Sequence, residues 1–225
     1  MFPEHRSIRA TAGRRINLAF ACLAFVICGT ACARAQTQPT QAAAGSDHYG
    51  GGASAASKPT TPATVAAAPK VGEAAPDFKL PYATQEEIHL KPEEWLALSA
   101  QHGKNVILAF YPADWSGGCT KEVCTLRDTF AELAKLNATV LGISGDYVFS
   151  HHEWAKFHKL PFALLSDHDH KVARMYGTYN EAAGFNNRSV FLLDKNGVVR
   201  YSNPAFKAGD KADYDALRAE LEKLK

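Results

Sequence analysis

An excess of charge of one sign is what this chain most plainly lacks. Its 225 residues carry 25 basic and 23 acidic side chains, a formal net charge of +2. That gives no broad electrostatic footprint for nucleic acid, so no nucleic-acid partner is expected. No internal repeat of solenoid length is present, which excludes an array of stacked units. A long hydrophobic run is missing too: the stretch from Ile16 to Cys28, interrupted by Asn17, falls short of the roughly 18 residues that mark a bilayer span. Cysteine is scarce beyond the N-terminus. Of five cysteines, Cys22, Cys28 and Cys32 lie in the first segment, leaving only Cys119 and Cys124. The plainest reading of such a pair in an oxidising compartment is a structural disulfide.

What the N-terminus does have is an order of residues. Arg6, Arg9, Arg14 and Arg15 precede the apolar run, and small residues follow in Ala31-Cys32-Ala33-Arg34-Ala35. Basic, apolar, then small is the pattern of a secretory signal, so residues 1–35 are expected to be a signal peptide, with cleavage after Ala35 ranked first. A lipid at Cys32 or retention as a helical anchor ranks second. Gly29 stands where a lipobox carries a larger aliphatic residue, and counting on through Ala33 brings the run close to spanning length. Asn17 weakens a twin-arginine reading of Arg14-Arg15. The expected location is therefore exported, periplasmic or extracytoplasmic, with membrane contact only through such an anchor. Residues 36–70, rich in Ala, Thr, Pro, Gly, Ser and Gln, cannot bury enough apolar area to offset the entropy of ordering and are expected to be a flexible tether.

From Val71 to Lys225 strand-like and helix-like segments alternate, which predicts one α/β domain of about 150 residues. Asn105 to Tyr111 is a continuous apolar run bounded by Gly103-Lys104 and Pro112, the signature of a central strand covered on both faces. Further strands are predicted at Thr139 to Ser144 and Ser189 to Leu193. The turn Asp194-Lys195-Asn196-Gly197 leads into Val198 to Ser202, a hairpin at the end of the sheet. Val123, Leu126, Phe130 and Leu133 recur at helical spacing and predict a helix from about Gly118 to Leu136. Ser150-His151-His152-Glu153 has the spacing of a capping box and predicts a helix running to about His158. Tyr214, Leu217, Leu221 and Leu224 mark a C-terminal helix.

Placing the cysteines on the first helix bears on their chemistry. Residues five apart differ by ~7.5 Å in rise, which carries their Cα atoms past the ~7 Å that a disulfide tolerates. Cys119 and Cys124 therefore cannot bridge while the helix is intact, and a static staple is disfavoured. Cys119 falls in the first turn, where free N–H groups and the positive end of the helix dipole favour a thiolate. Against this stands the ordinary role of a buried cysteine as a small hydrophobe.

The segment FYPADWSGGCTKEVCTLRD, Phe110 to Asp128, resembles the active-site segment of peroxiredoxins, most closely the peroxiredoxin Q or bacterioferritin comigratory protein subgroup. Val71 to Leu80, Leu160 to Gly177 and Asn187 to Tyr201 resemble the same subgroup, in the same order. The resemblance implies a thioredoxin-like α/β fold, a central mixed sheet flanked by helices. It implies that Cys119 is the peroxide-attacking cysteine and Cys124 the resolving one. Arg188 then accompanies the active site, while Pro112 and Ser116 fall on the family's Pro and Thr positions. Two departures stand out. Ser116 keeps the hydroxyl of the usual Thr but loses a methyl that restricts its rotamer, and Gly118 replaces a common proline and so loosens the loop.

By that resemblance the chain is a thiol-dependent peroxidase acting on hydrogen peroxide or organic hydroperoxides, without cofactor or metal. Cys119 sulfenic acid condenses with Cys124, a thioredoxin-like reductant recycles the disulfide, and the protein works as a monomer. Three other readings compete. Trp115-Ser116-Gly117-Gly118-Cys119 is similar to the Trp-Cys-x-x-Cys loop of thioredoxin-like oxidoreductases, but Ser116 takes the place of the first cysteine. A metal-binding module draws on nine histidines, among them His151, His152, His158, His168 and His170. The neighbours His151 and His152 face different sides of a helix and read as solvated or capping residues. The last alternative is a redox-inert domain that keeps only the fold.

Overall fold

The computed structural model describes residues 67–225. The predicted signal segment and nearly all of the predicted tether lie outside them. In chain order the strands are β1 Lys79–Leu80, β2 Tyr82–Ala83, β3 Ile88–His89, β4 Leu96–Ala97, β5 Asn105–Phe110, β6 Ala138–Ser144, β7 Ala163–Ser166, β8 Tyr179–Asn180, β9 Phe185–Asn186, β10 Ser189–Leu193 and β11 Val199–Asn203. The α-helices are α1 Gly117–Lys135, α2 Val148–His158, α3 Lys171–Met175 and α4 Lys211–Glu222.

Seven strands form the main sheet in the order β11-β10-β5-β6-β7-β2-β3. β5, β6 and β7 run parallel, and β10, β11, β2 and β3 join antiparallel at the two sides. The predicted hairpin lies at one edge: β10 and β11 pair through the Asp194 to Gly197 turn, with Asp194 Oδ1 accepting from Asn196 N and Val198 N.

The period-two geometry of a strand explains why β5 is apolar throughout. Ile107 and Ala109, with Tyr111 just beyond the strand, enter one core, while Val106, Leu108 and Phe110 enter the other. The first core is closed by Val123, Leu126 and Leu133 of α1, Trp154 and Ala155 of α2, and Leu217 and Leu221 of α4. The second takes Phe78, Val172, Ala173 and Tyr176. Helices thus cover both faces, as the thioredoxin-like reading predicts. The segment Lys91 to Gly103 supplies β4, which pairs with β1 in a small separate sheet.

One prediction needs correction. The helix expected to open on a Ser150 capping box begins at Val148 instead, with Tyr147 as an N-cap that makes no side-chain bond. Ser150 is already inside the helix, and its hydroxyl donates to Asp114 Oδ2 at 2.7 Å. Its hydroxyl is thus turned to the Asp114 carboxylate as a donor, and its oxygen caps no N–H of the helix start.

Candidate active site

β5, paired on both sides, ends at Phe110, and the chain leaves its C-terminal end through Pro112 to Ser116 before α1 begins. Asp114 fixes this loop from below. Its buried carboxylate accepts from Tyr111 Oη at 2.8 Å and Ser150 Oγ at 2.7 Å, and it is bonded to His151 Nδ1 at 2.8 Å. Its own N–H donates to Asp146 Oδ2 at 2.9 Å. Burial first, then the charge of Asp114, raises the Tyr111 phenol well above its ordinary range. His151, expected to be solvated or capping, is fully buried, with Nε2 at 3.1 Å from the Leu165 carbonyl. Asp114 draws it inward, because a buried carboxylate needs donors from every neighbouring element.

On this base Trp115 adopts φ +61°, a left-handed conformation that a bulky residue takes only when its surroundings impose it. The strain is offset by the bond from Ser116 N to the Asp114 carbonyl at 2.8 Å and by Trp115 Nε1 donating to Ser150 Oγ at 3.2 Å. The reversal places Ser116 as the N-cap of α1. Its hydroxyl accepts from Cys119 N at 3.4 Å and donates to the Ala113 carbonyl at 3.2 Å. Pro112 is half-buried at the loop entrance.

Cys119 sits in the first turn of α1 with no solvent exposure. Without water around it, charge on its sulfur depends on protein donors. Arg188, at the start of β10, supplies one: Nη2 lies 3.3 Å from Cys119 Sγ. Nη1 of the same guanidinium is bonded to Glu122 Oε2. Glu122, one turn after Cys119, is fully buried, and its Oε1 has no partner. Burial, only partly countered by Arg188, pushes its carboxyl up to about 7. Burial also opposes the charge on Arg188, yet Glu122 and the Cys119 sulfur outweigh it and hold the guanidinium above the usual arginine range. A Cβ at Gly118 would stand 3.3 Å from Arg188 Nη2, so the missing proline leaves room for the fork.

Cys124 is half-buried farther along α1. Both cysteines are free, as an intact helix requires. Cys124 Sγ lies 3.6 Å from His158 Nδ1 at the end of α2. The structure therefore brings Cys119, Arg188 and Ser116 together and sets Cys124 apart from them. Glu122 and Asp114 escape the sequence reading, although Glu122 lies at the helical spacing from Cys119 that puts both on one face. The remaining histidines are dispersed: His168 meets Tyr147 Oη at 2.6 Å, and His170 lies tilted against Tyr179 at 4.4 Å.

A sequence profile of the AhpC/TSA family matches residues 71–202. The chain is similar to a putative chloroplastic peroxiredoxin Q of Oryza sativa subsp. indica, with 42% identity over 131 residues covering 58% of this chain and 57% of the relative. It thus spans little more than half of that protein's length. A putative peroxiredoxin bcp of Coxiella burnetii is 41% identical over 144 residues, covering 61% of this chain and 90% of the relative. Among solved structures, a peroxidoxin BcpB of Mycobacterium tuberculosis superposes with TM-score 0.60 at 30% identity, over 70% of this chain and 99% of that one.

These relatives correct one expectation. The rice protein is named chloroplastic and the Coxiella protein is named only as a bcp-type peroxiredoxin, which overturns the exported, periplasmic location read from the N-terminal pattern. Among the described residues no helix is long and apolar enough to cross a membrane.

Proposed function

The chain belongs to the AhpC/TSA family, and from that premise we propose that it is a thiol-dependent peroxidase of the peroxiredoxin Q type. Residues 71–225 form the peroxidase domain, and Cys119 is its nucleophile. The observation that carries this reading is the 3.3 Å contact from Arg188 Nη2 to Cys119 Sγ in the first turn of α1. A guanidinium beside a water-excluded sulfur favours the thiolate, and the thiolate is the reactive form.

The sulfur attacks the terminal peroxide oxygen, an S–O bond forms, and the O–O bond breaks. Cys119 becomes a sulfenic acid, and the departing oxygen takes up a proton and leaves as water or an alcohol. Negative charge moves from sulfur to the leaving oxygen during this step. Arg188 donates to both in turn, stabilising charge where it develops. Pro112 shields the loop entrance. The Ser116 hydroxyl, one turn before the sulfur, orients the peroxide once it swings from the Ala113 carbonyl.

The second half of the cycle joins Cys119 to Cys124. The first turns of α1 unwind, Cys124 attacks the sulfenic sulfur, water is lost, and a thioredoxin-type dithiol reduces the disulfide. Both thiols belong to one chain, so the cycle needs no second copy and a monomer suffices. The test is peroxide consumption with a dithiol reductant. Cys119→Ser is expected to abolish turnover, and a variant that consumed peroxide at the unsubstituted rate would end the assignment.

A further inference from the structure

Cys124 does not wait in an indifferent place. Its sulfur faces the imidazole of His158, the last residue of α2, at 3.6 Å from Nδ1. Arg127, one turn further along α1, donates Nη1 to the His158 carbonyl at 2.8 Å. Aromatic rings flank the half-buried imidazole: Phe157 edge-on at 4.9 Å, Trp154 edge-on at 5.9 Å, and Trp115 of the active-site loop at 6.4 Å. The ring is thereby held over the sulfur by two helices and a loop. His158 itself belongs to α2, outside the segment that must unwind.

We propose that His158 is the general base of the resolving step, accepting the Cys124 thiol proton at Nδ1. The proposal rests on the peroxidase reading and adds a catalytic residue to it. An unassisted thiol is mostly protonated at neutral pH and reacts slowly, and a base must be within hydrogen-bond reach of the proton it takes. The groups facing the imidazole are Cys124 and Arg127 from α1, with Arg127 also paired to Asp128 at 2.8 Å, and the uncharged rings named above. Burial and then the Arg127 charge hold His158 below the ordinary histidine range, which favours the neutral ring, and with its proton on Nε2 that ring presents Nδ1 to the thiol as an acceptor. The same Arg127 charge favours the thiolate once it forms.

The step balances without a further reactant. The Cys124 S–H bond breaks and its proton moves to Nδ1. The thiolate forms an S–S bond to Cys119 as the S–O bond of the sulfenic acid breaks. The departing hydroxide takes a proton from the imidazolium, which leaves water and a neutral His158. The oxidising equivalents are those the peroxide left on Cys119.

The test follows disulfide closure in the reduced full chain after one equivalent of hydrogen peroxide, quenching with a sulfenic-acid trap and reading peptides by mass across pH 5.5 to 9. For His158→Gln, closure at pH 7 is expected to slow by roughly 10²-fold, the usual scale of a lost general base. Its rate should then climb about tenfold per pH unit where the unsubstituted chain has levelled off. Added imidazole is expected to speed closure in His158→Ala, which separates a missing base from a disturbed fold. Equal closure rates and equal pH profiles in His158→Gln and the unsubstituted chain overturn the proposal and leave the peroxidase reading intact. A chain that forms no sulfenic acid on Cys119 overturns both.

Discussion

Arg188 reaches Cys119 with one nitrogen and Glu122 with the other, so a single guanidinium couples the reactive sulfur to a buried carboxyl. The planar fork makes this geometry available to arginine and not to lysine, whose charge is a point on a flexible stem. Arg188→Ala is expected to slow alkylation of Cys119 at pH 7 and to lower the second-order rate with hydrogen peroxide by about 10²-fold, the scale of a lost charge-stabilising donor. Arg188→Lys should recover only part of it. Stopped-flow oxidation and iodoacetamide labelling read the two quantities, and unchanged rates in Arg188→Ala would remove the arginine from the site.

Glu122 makes folding stability depend on pH. Its carboxyl is raised from the ordinary 4.5 to about 7 in the folded state, so between those values the native chain binds more protons than the unfolded one. The stabilisation is fully present below pH 4.5 and is lost as pH rises toward 7. The loss from this group is on the order of 3 kcal/mol. Glu122→Gln should flatten that fall in urea titrations at a series of pH values. An equally steep fall in the variant would assign it elsewhere.

The Asp114 and His151 side chains form a buried pair at 2.8 Å, each without solvent exposure. Removing one partner leaves the other without its complement in a dry site. Asp114→Ala also strips the acceptor from the Tyr111 and Ser150 hydroxyls and is expected to lower the unfolding free energy by about 2–5 kcal/mol, at ~1–3 kcal/mol for each buried group left unsatisfied, measured by denaturant titration. A loss below about 1 kcal/mol would show that these buried bonds do not hold the loop in place.

Cys124→Ser keeps the size of the side chain and removes the second sulfur. After one equivalent of peroxide, Cys119 is expected to accumulate as a sulfenic acid that a dimedone-type trap labels, with no disulfide closing within α1. Normal recycling of this variant by a thioredoxin-type reductant would show that Cys124 does not resolve the intermediate.

What the sequence makes legible is set by range and periodicity. β5 reads from Asn105 onward because both faces of the strand are buried and every position is apolar after the first. α1 reads because Val123, Leu126 and Leu133 repeat at helical spacing against one core. Arg188 lies 69 residues from Cys119, and no local pattern connects them; the family resemblance does. The polar pairs had no such guide. Asp114 and His151 are 37 residues apart, Cys124 and His158 are 34 apart, and each pair exists only because α2 packs beside the loop and α1. The Ser150 capping box failed for the same reason, since a local motif was overridden by a carboxylate from another element. Two-residue strands such as β1 and β4 are too short to carry a period.

The central claim is that Cys119 is the nucleophile which peroxide oxidises first and Cys124 then captures. Its most direct test is mass measurement of the reduced full chain before and after one equivalent of hydrogen peroxide, with the disulfide located by peptide mapping. The account predicts the loss of two hydrogens and a cross-link joining Cys119 to Cys124. An unchanged mass, with both thiols still open to alkylation, would contradict it.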